Sequence, residues 1–194
     1  MAGDHEPGGQ AGDFRVRLRE LTEADEDEFV RMAQASASLH HPWYSTATTP
    51  EQFRVYLTRL AQPATEGRVV CVRDGGAMAG VVTLDTIVRG RFQSASISYG
   101  AFALAAGRGY MTEGVRLMLW YAFQELRLHR VEASIQPGNE ASLRLVRRLG
   151  FREEGYSPDM LFIDGAWRDH VRWAMTREMT DFPAVDPHPT RPER

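Results

Sequence analysis

Two short runs carry the residue types from which a ligand site can be built. The first is Ala105-Ala106-Gly107-Arg108-Gly109-Tyr110-Met111-Thr112-Glu113-Gly114, read as the junction between a strand and a long helix. Glycines at 107 and 109 let the backbone turn tightly and present successive N–H groups outward. The following helix adds its unpaired first-turn donors and the positive end of its dipole. Together these suit an anion such as a pyrophosphate, and Arg108 can add a charge-assisted contact. The same glycines serve equally for a bare strand-to-helix turn. A dinucleotide motif fits less well, because the third glycine of Gly-x-Gly-x-x-Gly falls on Thr112. The second run is Pro137-Gly138-Asn139-Glu140-Ala141-Ser142. Asn139 suits a helix cap with Ser142 at the third position, and a capping Asn can still offer its amide to a ligand.

The surrounding pattern predicts how these runs are held. Residues 14–18 alternate apolar and basic, a first strand; Thr22 with Asp25 three residues on starts a helix. Thr49-Pro50 starts another, followed by Phe53, Leu57 and Leu60 at helical spacing. Between them, residues 38–44 form an aromatic-rich loop. Residues 68–72, 80–88 and 92–102 read as an antiparallel meander with turns at Asp74-Gly75-Gly76 and Arg89-Gly90-Arg91. A long helix over 112–126 follows, with Val115, Leu119, Ala122 and Leu126 on one face. A strand at 131–135 and a helix at 140–149 ended by Gly150 come next. A hairpin of 160–163 and 167–176 turns at Asp164-Gly165, with Glu154-Gly155 marking its entry. A meander followed by one βαβ crossover indicates an α+β fold with a mixed sheet. Both runs then lie at the carboxyl ends of adjacent parallel strands, where such sheets place ligands.

Composition excludes several alternatives. The chain has 194 residues, a net charge of −3, and 43% hydrophobic and 25% charged residues. That indicates one core and no nucleic-acid-binding face as its main business. All 23 basic residues are Arg, so Schiff-base chemistry and a phosphate-binding lysine are excluded. Cys71 is the one cysteine and reads as a small buried hydrophobe. The six His show no metal-ligand spacing, so no metal is expected. With no disulfide, signal-like start or membrane-length apolar run, a cytoplasmic location is expected. Residues 1–13 read as a disordered lead, 14–180 as a single domain, and 181–194, with four of the ten prolines, as an extended tail.

The runs GRGYMTEG, PGNEAS, RRLGF and EEGY resemble the GNAT acyl-CoA-dependent N-acetyltransferases, within them the RimJ/RimL-type branch that acetylates protein N-termini. The resemblance covers residues 14–178. It implies a central mixed, mostly antiparallel twisted sheet of about seven strands with about four helices, and a cofactor cleft between two splayed parallel strands. It implies that backbone amides of Gly107, Arg108, Gly109, Tyr110, Met111 and Thr112 hold the coenzyme A pyrophosphate, although Ala106 and Met111 depart from the family loop at its two ends. The strand around Gly100–Ala103 would pair with the pantetheine arm and point an amide at the thioester oxygen, with Phe102, Ala103 and Leu104 among the cofactor-binding residues. Asn139 would bind pantetheine, and Ser142 falls where this branch has a proposed thiol-protonating serine. Val146 stands where many GNAT enzymes have a catalytic tyrosine, which removes that mechanism.

The expected reaction is direct acetyl transfer from acetyl-CoA to a primary amine, foremost a peptide N-terminus. An α-amine titrating near 8 is already about a tenth neutral at pH 7, whereas a lysine amine needs about three more units of help. His40, His41, Trp43, Tyr44 and Asp85 are the candidates on the acceptor side, and the residue types do not single out a base; Glu132 and Tyr156 are further candidates, and His170 reads as structural. A small-molecule amine acetyltransferase and a non-catalytic acyl-CoA-binding module remain as the other readings. Acidic residues in the cleft would favour a cationic small molecule, and an open groove a peptide. A monomer or homodimer is expected.

Overall fold

The computed structural model describes residues 14–182; the expected lead at 1–13 and the tail from 183 onward lie outside the described residues. Seven strands form one sheet in the order β1-β2-β3-β4-β5-β7-β6. They are β1 (Val16–Arg19), β2 (Glu66–Val72), β3 (Met78–Val88), β4 (Ser94–Ala101), β5 (Arg130–Ile135), β6 (Arg152–Ile163) and β7 (Ala166–Thr176). The helices are α1 (Glu26–Ala35), α2 (Ala37–His40), α3 (Pro50–Leu60), α4 (Tyr110–Trp120) and α5 (Glu140–Leu149). The element order and the mixed, mostly antiparallel sheet are as expected, with β4 and β5 the parallel pair.

Period-2 alternation sends successive residues of β2 and β3 into cores on opposite faces of the sheet. Val70 and Val82 face a core shared with α4 and α5. Val69, Cys71 and Val81 face a second one against α1 and α3, so Cys71 is a buried hydrophobe as read. In the second core Phe29 lies 5.0 Å from Phe53 and 5.5 Å from Phe102, ring centre to ring centre, and all three rings are fully buried.

Local chemistry explains most boundaries. The Asp25 carboxylate accepts the Thr22 backbone N–H at 2.8 Å and a two-pronged Arg19 contact at 2.8 Å. That box closes a 3-10 turn, and α1 begins one residue after it. Thr49 caps α3 by accepting the Gln52 N–H, with Pro50 at the first helical position. Gly150, at φ +86°, ends α5.

Three expectations are corrected. Residues 38–44 are not all loop, because α2 forms there, its approach fixed by Ser36 Oγ donating to Met32 O. The last hairpin begins at Arg152, so Glu154-Gly155 lies within β6. Gly155, at φ +139°, absorbs a register shift there, and Arg130 of β5 binds Glu154 across β7. Hydrogen bonding to Arg130 holds the Glu154 carboxyl down to about 2. Asp181 and Phe182, placed in the tail, lie against the domain: Asp181 accepts from Arg116 at 2.8 Å and Phe182 stands 6.5 Å from Phe123.

Helix α4 lies close on the sheet because Gly114 has no side chain. A Cβ there would sit 2.7 Å from Val70 Cγ2. Gly114→Ala is expected to lower stability by about 1–3 kcal/mol through overpacking, measured as a lower urea midpoint with unchanged slope.

Candidate active site

Strands β4 and β5 are paired at Ser94–Arg130, Ala95–Val131 and Ser96–Glu132, and then separate. Beyond that point β4 remains laddered to β3 and β5 to β7. Phe102 N–H donates to Ala79 O, so in antiparallel alternation the residues two and four earlier also bond to β3. Ile97, Tyr99 and Ala101 therefore turn their backbone groups toward the gap. By the same count from Arg177 N–H donating to His129 O, Ser134 turns its groups into the gap from β5.

At the carboxyl end of β4, Gly107 (φ +74°) and Gly109 (φ +81°) make the tight turn, and Gly109 caps α4. Among the described residues no acceptor is found for the N–H groups of Gly107, Arg108, Gly109, Tyr110 and Met111. The Thr112 N–H is turned inward onto Gly109 O at 3.0 Å. Arg15, which nothing in the sequence pattern singles out, holds this turn. Its guanidinium donates to Arg108 O at 3.1 Å and to Glu113 at 2.7 Å, and lies over the Tyr110 ring.

At the carboxyl end of β5, Asn139 caps α5: its Oδ1 accepts the Ser142 N–H at 3.1 Å, which leaves its NH2 group free to donate. Residues 41–45 cross between the two strand ends. Trp43 occupies the space beside Gly138, where a Cβ would lie 2.8 Å from its ring, and Tyr44 occupies that beside Gly100 at 2.7 Å. Burial pushes the Tyr44 phenol up.

The result is a cleft in two connected parts that share Trp43, Tyr44, Tyr99, Asn139 and Ser142. One part, about 580 Å³, runs along the β4 end and the glycine turn and is rimmed by Arg144 and Arg148 of α5. The other, about 380 Å³, lies beneath the tip of the β6–β7 hairpin. Asp164 is the one carboxylate lining it, and Ser45 Oγ and His41 Nδ1 approach that group at 3.5 and 3.7 Å. His170 also lines it, with Nδ1 donating to Arg168 O at 2.9 Å.

The structure thus gathers Gly107, Gly109, Met111, Thr112, Asn139, Ser142, His40, Trp43 and Tyr44 along one cleft. Arg108 and Tyr110 contribute their N–H groups to the turn and His41 approaches Asp164, whereas the remaining candidates stand apart from the cleft. Phe102 is a core ring, the Ala103 N–H is taken by Ser36 Oγ at 2.8 Å, and Leu104 points to solvent. Asp85 is held outside the cleft by Arg59 and Ser98 at 3.4 Å. Glu132 pairs with Arg130, and Tyr156 with Asp169 on the exposed hairpin. Tyr99 went unnoticed in the sequence, since an aromatic alternating with Ala95 and Ile97 reads as core.

His40 is buried. Its Nε2 donates to Ala101 O at 2.7 Å, and its Nδ1 has no partner among the described residues. Burial lowers its pKa below the ordinary 6.5, so the unfolded chain takes up this proton before the folded one. Its contribution to stability is complete above pH 6.5 and is lost as pH falls below it. His40→Gln is expected to flatten the fall in urea-unfolding free energy just below that pH.

A family profile described as an acetyltransferase (GNAT) domain matches residues 15–152. The ribosomal protein uS5-alanine N-acetyltransferase of Escherichia coli (strain K12) is 38% identical over 103 residues, 53% of this chain and 53% of that one. The spermidine N(1)-acetyltransferase of the same organism is 29% identical over 163 residues, 81% of this chain and 83% of that one. Mycobacterium smegmatis RimJ in complex with CoA-disulfide gives a TM-score of 0.80 at 27% identity, covering 86% of this chain and 84% of that one.

Proposed function

Because this chain belongs to the GNAT acetyltransferase family and is an N-acetyltransferase, we propose that its acceptor is the α-amine of a protein N-terminus and that acetyl-CoA lies in the gap between β4 and β5. Members of the family use acetyl-CoA. The residues present fit it: unpaired amides from Gly107 to Met111 and the start of α4 suit a pyrophosphate, and the free edge of β4 suits an amide-bearing arm. The Asn139 NH2 group is free to steady that arm while its Oδ1 caps α5. When bound, acetyl-CoA supplies the activated acyl group.

The observation that carries the acceptor reading is the character of the cavity under the hairpin tip. Its walls are aromatic, aliphatic and serine side chains with the amides of Gln136 and Asn139 and the His170 ring, and Asp164 is the one carboxylate among them. A polyamine carries several positive charges and calls for several carboxylates, whereas an N-terminus carries one. The relative named for ribosomal protein uS5-alanine acetylation supports the same reading.

Chemically the site has little to do beyond placing groups. An α-amine is already about a tenth neutral near pH 7, so it needs no strong base. Ser142, in the first turn of α5, faces both parts of the cleft and is the group placed to give the leaving sulfur a proton.

Thiol release from acetyl-CoA, measured with N-terminal peptides beside amino sugars, amino acids and polyamines, tests this. Peptides are expected to turn over fastest. Faster release with a small amine replaces the acceptor, and tight acetyl-CoA binding without release for any amine replaces the activity. Ser142→Ala is expected to lower kcat about 10- to 100-fold with a smaller change in the KM for acetyl-CoA. An unchanged kcat removes Ser142 from the role.

A further inference from the structure

Two buried polar groups along the cleft have no partner among the described residues, His40 Nδ1 and the Tyr99 hydroxyl, and the second stands where the two parts of the cleft meet. Tyr99 sits on β4 just past the point where that strand leaves β5, and its side chain lines both parts of the cleft. Its hydroxyl is shielded from solvent but makes no hydrogen bond of ordinary geometry, a costly state for a buried phenol. Ser142, across the gap in the first turn of α5, is the serine that lines both of the same cavities. On α5 itself no phenol is to be had, since Val146 is fully buried in the core.

We propose that Tyr99 is a positioning residue for Ser142: its hydroxyl donates to Ser142 Oγ from the β4 side, turns the Ser142 proton toward the leaving sulfur, and takes up charge as Oγ gives that proton away. This rests on the acetyl-transfer reading above. As the amine nitrogen bonds to the acyl carbon, the C–S bond breaks and its electron pair stays on sulfur. Sulfur takes the Ser142 proton, Ser142 takes the Tyr99 proton, and Tyr99 recovers one from water. The acylated nitrogen gives its surplus proton to water, so amide, free thiol and unchanged protein result. A thiol titrates near 8.5 and a free phenol near 10, whereas a lone serine hydroxyl is a far weaker acid, so the phenol brings the donor closer to its task. Burial pushes Tyr99 up to about 12, so the phenol is protonated in the resting site and, although weakened as an acid, is still a stronger one than a lone serine hydroxyl.

The test uses the full chain, with Tyr99→Phe, Ser142→Ala and the double variant. Tyr99→Phe removes an oxygen that is buried and unpaired in the free protein, so its thermal midpoint is expected to be equal to or above that of the unmodified chain. Three results are expected. Tyr99→Phe lowers kcat about tenfold or more at a nearly unchanged KM for acetyl-CoA. The double variant is no slower than Ser142→Ala, because the two hydroxyls act as one unit. In binding alone, at pH 9, the unmodified protein prefers CoA to desulfo-CoA by about tenfold, a hydrogen bond to a charged sulfur, and both single variants lose most of that preference. Full turnover in Tyr99→Phe, losses that multiply in the double variant, or an unchanged CoA preference overturns the proposal while leaving acetyl transfer standing. No thiol release by the unmodified protein with any amine overturns both.

Discussion

Strands β4 and β5 are hydrogen-bonded over three residue pairs and then part, although each continues to its end bonded to its other neighbour. The separation follows from which contacts are stronger. β4 is tied along its length to β3 and anchored at its end by Phe102, whose ring is locked among Phe29 and Phe53. β5 is tied to β7 over all six of its residues. The sheet twists, so two well-laddered antiparallel blocks joined by one short parallel seam diverge past it. Everything proposed for this protein depends on the edge that divergence exposes.

An unpaired strand edge in the middle of a sheet is ordinarily a liability, because its N–H and C=O groups attract another strand. Here the edge is partly covered by the protein itself. His40 takes Ala101 O, and Trp43 and Tyr44 lie over Gly138 and Gly100, where any side chain would collide with them. The same contacts divide the gap into a part beside the glycine turn, proposed to take the anion, and a second cavity under the hairpin.

The proposed anion end combines main chain with cations at its rim. The turn offers N–H groups held by a left-handed backbone at Gly107 and Gly109, and Arg144 and Arg148 of α5 stand at the edge of the same cavity. Arg15 sets its guanidinium against the outside of that turn. It is spent on Glu113 and on Arg108 O, which fixes the loop against β1 and makes the amide array rigid. A rigid array needs no reorganisation when charge arrives, which is where such donors gain their strength.

Local chemistry was legible in the chain before any coordinates. The Thr22–Asp25 box, the Thr49-Pro50 start, the Asn139 cap and the Gly150 stop are interactions over four residues or fewer, so their partners stand side by side in the sequence. Alternation and helical spacing likewise gave the order of the elements other than α2, and the two glycine-bearing junctions both line the cleft. Tertiary structure alone decided the rest, because those interactions join residues that the chain order keeps apart. Arg15 meets Glu113 across 98 positions, and His40 meets Ala101 across 61. Tyr99 faces Ser142 because two strands separate, and Phe102 turns away from the cleft because its ring fills a core. No local pattern encodes on which side of a seam a side chain will stand, since that is set by how whole elements pack and twist.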